Sequence, residues 1–163
     1  RKSVNDLMKF HGVGRAKAMS IVCALELGRR RKETGTTQRP KIRSSSDAYD
    51  HMKPHLSDKN LEQFWVIILN RSNGVLKTVQ VSAGGVSGTV ADPKIIFKYA
   101  LEELGSSVIL VHNHPSGNLK PSETDIALTK KLVRGGEALE MPVLDHIIFS
   151  DSGYFSFADE ALL

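Results

Sequence analysis

An apolar strand that ends in two histidines places the strongest constraint on how this chain can fold. Residues 106–114, SSVILVHNH, carry apolar side chains on both faces, which is typical of a strand inside a sheet. The side chains of an extended chain alternate between its two faces. His112 and His114 are therefore expected to point the same way at the end of the strand, while Asn113 points the opposite way.

A helix predicted downstream adds a carboxylate to this histidine pair. A loop with Pro and Gly follows the strand, and the helix is expected to begin at Pro121 or Ser122 with Asp125 in its first turn. The loop is long enough to fold back on the strand end. Two neutral imidazoles and one carboxylate are three ligands for Zn²⁺, and three protein ligands leave its fourth position open, as in catalytic zinc sites. The spacing predicts a metal site of His112, His114 and Asp125.

The same residues also have a purely structural interpretation. Ser-x-x-Asp ahead of an apolar-periodic segment is a capping box, with Ser122 as the N-cap of the helix. Two histidines at the end of a buried strand are often structural or simply exposed. The two interpretations are compatible, because Asp125 can bind a metal while Ser122 caps the helix.

The spacing H-x-H-x7-S-x2-D resembles the metal motif of the JAMM (MPN-domain) metalloproteases, and His112, His114, Ser122 and Asp125 match it position for position. The segments VHNHPSG, LKPSETD and LDHIIFSDSGYFSF are similar to the RadC-like branch of that superfamily, which carries a DNA-repair name. The similarity extends over nearly the whole chain, with a helix-hairpin-helix segment in front. It implies an α/β (α+β) fold with an MPN/JAB-like, cytidine-deaminase-like mixed sheet, one Zn²⁺ per chain, and hydrolysis of an amide or isopeptide bond.

The resemblance also implies a general base and an oxyanion donor. JAMM proteases use a glutamate at the start of a strand upstream of the histidine pair, and Glu62 is the matching residue here. A carboxylate within one hydrogen bond of a metal-activated water suffices for amide hydrolysis. Ser122 matches the serine that helps to stabilise the oxyanion. A solvent-facing glutamate at a strand edge is the alternative for Glu62, and its neighbour Gln63 cannot act as a base.

Two residues near the predicted site have other expected roles. Asn113 faces away from the metal and is expected to anchor the loop. His146 lies on a predicted strand, PVLDHIIFS, that could adjoin the site. A satisfied core histidine is the favoured interpretation of His146, and support of a metal ligand is the alternative.

Residues 3–29 predict two helices around a tight turn. The turn, HGVG at 11–14, has the form of a helix-hairpin-helix loop, in which glycines let backbone N–H groups hold a phosphate at a helix N-terminus. An αα-hairpin that only packs on the rest of the protein is the alternative, because DNA-binding families usually pair two hairpins. The candidate DNA contacts are Gly12, Val13, Gly14, Arg15 and Lys17.

The basic residues are concentrated in the first part of the chain. Residues 1–43 hold twelve Lys/Arg against three acidic residues, a net charge of +9, whereas the remainder has a net charge of −5. We predict a helix-hairpin-helix segment at 1–30, a basic linker at 31–43 and a metallohydrolase domain at 44–163. The predicted partners are a peptide or protein substrate and, through residues 1–43, the DNA backbone.

The sequence is also compatible with two other functions. In one, the chain is a DNA-associated accessory protein of repair or recombination, and its metal site is structural or acts on phosphodiesters. In the other, it is a catalytically idle MPN scaffold, which a Glu62 far from the metal would favour.

The remaining segments predict a mixed sheet with flanking helices. A helix with Ser46 as N-cap is expected to be interrupted or restarted at Pro54, and the helix that follows Asp125 is expected to be broken or to end around Gly135 and Gly136. A glycine-rich loop at 83–89 is expected to approach the site or to turn the chain. Asp92 and Pro93 predict a helix start, strands are expected at 61–70, 75–83, 142–150 and 154–157, and a short helical tail at 158–163.

Composition favours a soluble globular protein. The chain is 40% hydrophobic and 25% charged, and it has neither an apolar run of bilayer-spanning length nor a visible secretory signal. Its one cysteine, Cys23, can form no internal disulfide and is expected to be a small buried hydrophobe of a helix. We expect no membrane association, a cytoplasmic location, and, because the sequence starts at Arg1, a fragment of a longer protein.

Overall fold

The structure, a computed structural model, describes residues 3–33, 39–84 and 91–163, and it divides into two compact units near residue 38. The predicted α+β fold is confirmed: the larger unit is a five-stranded mixed sheet flanked by helices, and a helical pair precedes it in the chain. No helix within the described ranges is long and apolar enough to span a membrane.

The smaller unit contains helix α1, Val4–Met8, and helix α2, Arg15–Glu33. Ser3 caps α1 through a capping box with Asp6, which satisfies two backbone donors at once. The turn between the helices uses Gly12 at a φ of 79°, a conformation that glycine adopts without steric cost. Helix α2 extends beyond residue 30, where the sequence placed the end of this segment.

The prediction that Cys23 is buried is wrong. Its side chain is exposed, and Ala18 is the buried apolar residue of α2 among those described. The partner helix α1 is only five residues long, so it covers little of the 19-residue α2.

The sheet of the larger unit has the strand order β2-β1-β3-β4-β5. Strands β3 and β4 are parallel, and the other neighbouring pairs are antiparallel. All seven residues of the central strand β3 are buried, as its apolar sequence predicts. The strands are β1 (Gln63–Leu69), β2 (Val75–Ala83), β3 (Ser107–Asn113), β4 (Val143–Ser150) and β5 (Gly153–Ser156).

Helices cover both faces of the sheet, and alternate residues of the strands divide between them. Helix α3, Ser45–Leu56, packs on the face that carries Ile109 and Val111. Helices α4, Pro93–Glu102, and α5, Glu123–Ala138, supply the core on the opposite face. Because β3 alternates, His112 belongs to the α4/α5 face and Asn113 to the α3 face.

Two helices continue through residues at which the sequence predicted a break. Pro54 lies in the last turn of α3, and because it has no N–H, the carbonyl of the exposed Asp50 lacks its helical hydrogen bond. Helix α5 runs past Gly135 and Gly136 because these glycines serve packing. A Cβ at Gly136 would lie 2.5 Å from the Met141 carbonyl oxygen, and one at Gly135 would lie 2.9 Å from the Phe97 ring.

The structure also differs from the sequence at the edges of the larger unit. Residue Ser44, not Ser46, caps α3, and the expected helical tail consists of turns. The end of the predicted linker joins the sheet domain, since Ile42 is buried and its N–H donates to the Asn73 carbonyl at 3.0 Å. Residues 85–90, which include most of the glycine-rich loop, and linker residues 34–38 lie outside the described residues.

Candidate metal centre

The end of β3 and the start of α5 bring three potential ligands together. His112 is the penultimate residue of β3, and His114 follows the strand, its N–H donating to the Phe149 carbonyl at 2.9 Å. A tight turn with Gly117 at a φ of 76° then reverses the chain. Asp125 lies in the first turn of α5, as the sequence predicted.

The distances among the three side chains suit one small cation. The Nε2 atoms of His112 and His114 are 2.9 Å apart, and Asp125 Oδ1 lies 3.3 Å from His112 Nε2. The distance from His114 Nε2 to Asp125 Oδ2 is 3.9 Å. Ligand atoms around a tetrahedral zinc are about 3.4 Å apart, given zinc–ligand distances of about 2.1 Å. His112, His114 and Asp125 could therefore hold a metal ion.

The proton positions on His112 follow from its hydrogen bonds. The Thr129 hydroxyl donates to the Asp125 carbonyl at 2.6 Å, so it must accept the 2.6 Å bond that it shares with His146 Nδ1. His146 then carries its proton on Nδ1 and offers a bare Nε2. That nitrogen lies 2.8 Å from His112 Nδ1, which must be the donor. In the neutral ring of His112, Nε2 carries no hydrogen.

The same reasoning applies to His114. Its Nδ1 lies 2.5 Å from the Asn118 carbonyl oxygen, which can only accept, so the ring proton is on Nδ1. In the neutral ring, Nε2 of His114 is bare and faces the bare Nε2 of His112. Two lone pairs and a carboxylate oxygen thus converge on one point without a hydrogen between them, an arrangement that a cation satisfies.

Burial favours the unprotonated forms of His112 and His146. Desolvation lowers the pKa of His112 to about 4, with Asp125 opposing the shift and His114 adding to it. Desolvation also lowers the pKa of the fully buried His146 well below its usual range, and the nearby imidazoles of His112 and His114 lower it further. A neutral imidazole is the form that binds metals.

Asp125 uses its two oxygens in different ways. Oδ2 accepts from the Ser122 backbone N–H at 2.8 Å and from the Ser122 hydroxyl at 2.6 Å, which completes a capping box. Oδ1 is the oxygen nearer to His112. Because the Ser122 proton goes to Asp125, the Thr124 hydroxyl, 2.7 Å away, must donate to Ser122. The role of Ser122 as an oxyanion donor stays a prediction.

Glu62 lies one residue ahead of β1 and is half-buried. Phe64 is opposite His112 in the antiparallel β1–β3 pair, with the two rings stacked at 6.0 Å. Continuing that register by two residues places Glu62 opposite His114, on the face that carries both histidines. The role of Glu62 as a base stays a prediction.

Asn113 contacts the chain on both sides of Glu62. Its Oδ1 accepts from the Gln63 N–H at 2.7 Å, and its Nδ2 donates to the Leu61 carbonyl at 3.1 Å. The sequence predicted that Asn113 anchors a loop, and the segment it holds is the one that enters β1. Thr129 was missed by the sequence analysis, although its position four residues after Asp125 places it on the same side of the helix.

A cleft of about 480 Å³ lies beside the loop that carries His114. Its lining is largely polar and comes from residues 56, 58–60, 113–117 and 149–152, and His114 is the one residue of the metal cluster in that lining.

The candidate nucleic-acid contacts lie in the smaller unit. Gly12, Val13 and Gly14 form the turn between α1 and α2, and Arg15 begins α2. The Lys17 ammonium donates to the Gly12 carbonyl at 3.2 Å. The helical pair that the sequence predicted is present, and its binding role stays a prediction.

A mixed sheet with a His-His-Asp cluster at a strand end defines a candidate metal-binding domain of the α+β class. A family model described as the RadC-like JAB domain matches residues 42–162. The UPF0758 protein of Flavobacterium johnsoniae is 46% identical over 162 residues, which cover 99% of this chain and 71% of that protein. The UPF0758 proteins of Porphyromonas gingivalis and Methanosarcina barkeri are 43% and 41% identical, over 94% and 99% of this chain and 68% and 70% of their own lengths. This chain belongs to the RadC-like JAB-domain family, which confirms the resemblance found in its motif.

Proposed function

We propose that this protein is a zinc-dependent metallohydrolase that cleaves amide bonds of the peptide or isopeptide type. The observation that carries the proposal is the convergence of two bare imidazole nitrogens and one carboxylate oxygen within 2.9 and 3.3 Å. Imidazole and carboxylate ligands together suit zinc. Three protein ligands leave room for a reactant, which is typical of catalytic rather than structural zinc sites.

Zinc bound here supplies Lewis acidity, which polarises a substrate carbonyl and lowers the pKa of a water. In the proposed mechanism, Glu62 accepts the proton of the attacking water and passes it to the leaving amine. The β1–β3 register supports this role, because its extension by two residues beyond the Phe64–His112 pair would set Glu62 opposite His114. Asn113 supports it as well, since its amide holds the backbone on both sides of Glu62.

The proposed role of Ser122 is to donate its hydroxyl proton to the oxyanion of the tetrahedral intermediate. In the structure this proton is directed at Asp125, so the hydroxyl must turn from Asp125 toward the substrate as charge develops.

This mechanism is tested by removing the carboxylate of Glu62 and, in a control variant, placing a carboxylate at the next residue instead. Glu62→Gln is expected to lower the turnover of fluorogenic peptide and lysine-isopeptide substrates by at least about 100-fold while the zinc content stays unchanged. The matched control is the double variant Glu62→Gln/Gln63→Glu. It keeps the charge of the wild type but directs the carboxylate to the opposite face of the strand, so it should not recover activity.

The outcome of that assay also separates the competing chemistries. Equal turnover by wild type and Glu62→Gln would contradict the assigned base. A zinc-loaded wild type that hydrolyses a phosphodiester but no amide would replace the proposal with the phosphodiester alternative.

A second function, binding of the DNA backbone by the α1–α2 hairpin, is favoured by one observation. Its turn has the positive φ at Gly12 that such a loop needs, and Arg15 and Lys17 follow at the start of α2. We expect salt-sensitive binding to duplex DNA, weakened several-fold at low salt by Arg15→Ala/Lys17→Ala and unchanged by Lys130→Ala on α5. Fluorescence anisotropy measures this, and equal affinity of all three proteins would contradict the proposal.

A further inference from the structure

A buried chain of hydrogen bonds ties the three elements of the candidate metal centre together. It runs from the Asp125 carbonyl on α5 through the Thr129 hydroxyl to His146 on β4, and from there to His112 on β3. Each donor in this chain has a single acceptor, so the direction of every hydrogen bond in the chain is fixed. We propose that His146 and Thr129 are positioning residues, which hold the His112 ring in the orientation and tautomer that present Nε2 to the metal.

His146 is poorly explained as a core residue alone. It is 0% exposed and stacks on Phe157 at 4.8 Å with an interplanar angle of 15°. An apolar ring would fill that space without the cost of burying two polar nitrogens. Both nitrogens are instead bonded, one to the ligand His112 and the other to Thr129 on the ligand helix. The polar atoms of His146 therefore join the two parts of the site.

Thr129 fixes the direction of the chain. It lies one turn after Asp125, and its hydroxyl donates to the backbone carbonyl of Asp125 itself. With that proton committed, Thr129 can only accept from His146, which leaves His146 Nε2 as an acceptor for His112. Without the Thr129 hydroxyl, His146 could place its proton on Nε2 and oppose the tautomer of His112 that binds metal.

The inference rests on the proposed metal site but not on any hydrolytic activity. Hydrogen bonds that orient a metal-binding histidine typically change metal affinity by about 10- to 100-fold when they are removed. The affinity for Zn²⁺ is therefore the direct readout, measured on the full chain by competition with a chromogenic chelator. The Co²⁺ absorption spectrum reports the coordination geometry in the same samples.

The decisive variants separate hydrogen bonding from packing. His146→Phe keeps a buried ring and loses both bonds, and we expect about a 10- to 100-fold loss of zinc affinity. His146→Gln places an amide oxygen where Nε2 was, so it should recover most of that affinity. His146→Asn keeps a polar atom on the Thr129 side only, and it should behave like His146→Phe.

Thr129 offers an independent pair of variants. Thr129→Val has the same shape and no hydroxyl, so it should lower zinc affinity, whereas Thr129→Ser keeps the hydroxyl and should not. Wild-type affinity in a folded His146→Phe, or in Thr129→Val, would overturn the proposal.

A measurement on the wild type covers the case in which His146→Phe does not fold. Long-range ¹⁵N–¹H NMR correlations of the metal-free protein are expected to show Nδ1–H tautomers at His112 and His146. An Nε2–H tautomer at His112 would overturn the proposal. Failure of the proposed function looks different, because the wild type itself would then bind no zinc.

Discussion

At the scale of the residue, Asp125 shows how one side chain serves both the fold and the site. Oδ2 completes the capping box of α5, and Oδ1 approaches His112. The structural and the metal-binding interpretations of Ser-x-x-Asp are therefore not in competition, because they use different oxygens.

Substitution at these two positions should separate capping from metal binding. We expect Ser122→Ala to lower the free energy of unfolding by about 1 kcal/mol and to leave zinc binding largely intact. Asp125→Asn should have the opposite effect, with most zinc lost and little change in the unfolding of the metal-free protein. Urea unfolding and zinc content measure the two properties, and loss of zinc in both variants would contradict this division.

The buried histidines predict a pH dependence of stability in the metal-free protein. An unfolded histidine takes up a proton below about pH 6.5, whereas His112 does so only at about pH 4 in the fold. The pKa of His146 is also lowered by burial. The unfolded state thus binds more protons over this window, so stability falls as pH falls from 6.5 toward 4. Burial raises the pKa of Asp145, which opposes this trend at the acid end.

Urea unfolding of wild type and His146→Phe between pH 4.5 and 7 tests the sign and the source of this dependence. Each such histidine contributes up to about 1.4 kcal/mol per pH unit to the slope. The slope should be shallower in His146→Phe, and equal slopes would show that His146 takes up its proton in the folded protein.

At the scale of the element, the site depends on how β3 meets its neighbours. The β1–β3 register aligns the chain at Phe64 with His112, and the parallel pair β3–β4 brings His146 beside β3. Long-range pairing of this kind cannot be derived from a local pattern, so the interpretation of His146 as a core residue was incomplete. The Nδ1–Nε2 bond to His112 appears only once β4 is placed.

Helices α3 and α5 continue through residues that usually end or interrupt a helix. Gly135 and Gly136 suggested a helix end, but they allow α5 to approach Phe97 and the Met141 carbonyl. Pro54 suggested an interruption, but it lies in the last turns of α3, where only one hydrogen bond is lost. The strands, the Asp92–Pro93 helix start and the α5 capping box rest on local chemistry, and the sequence was sufficient to predict them.

Asn113 holds the segment that leads into β1, and its substitution tests what that contact contributes to turnover. Asn113→Ala removes both bonds that hold the backbone around Glu62, so we expect turnover to fall about 10- to 100-fold with zinc content unchanged. Asn113→Asp keeps the acceptor for the Gln63 N–H and should lose less. Loss of zinc in Asn113→Ala would instead show that this side chain supports the histidines, and a wild-type rate would show that it positions nothing needed for turnover.

At the scale of the whole molecule, the charge of the chain divides between its two units. Residues 1–38 hold nine Lys/Arg against three acidic residues, a net charge of +6, whereas residues 39–163 hold thirteen against fifteen, a net charge of −2. The family match, at 42–162, covers the unit with the metal centre and ends just short of the C-terminal residue. The proposed chemistry therefore belongs to the larger unit, and the proposed DNA binding is a separate property of the hairpin.

The binding of zinc by His112, His114 and Asp125 is tested by the metal content of the purified full chain. Mass spectrometry should find about one zinc per wild-type chain and little in His114→Ala, since that variant lacks one of three protein ligands. A wild type that holds no zinc, even after reconstitution, would contradict the proposed metal site. The stretch from His112 to Asp125 would then be a capped helix that follows a strand.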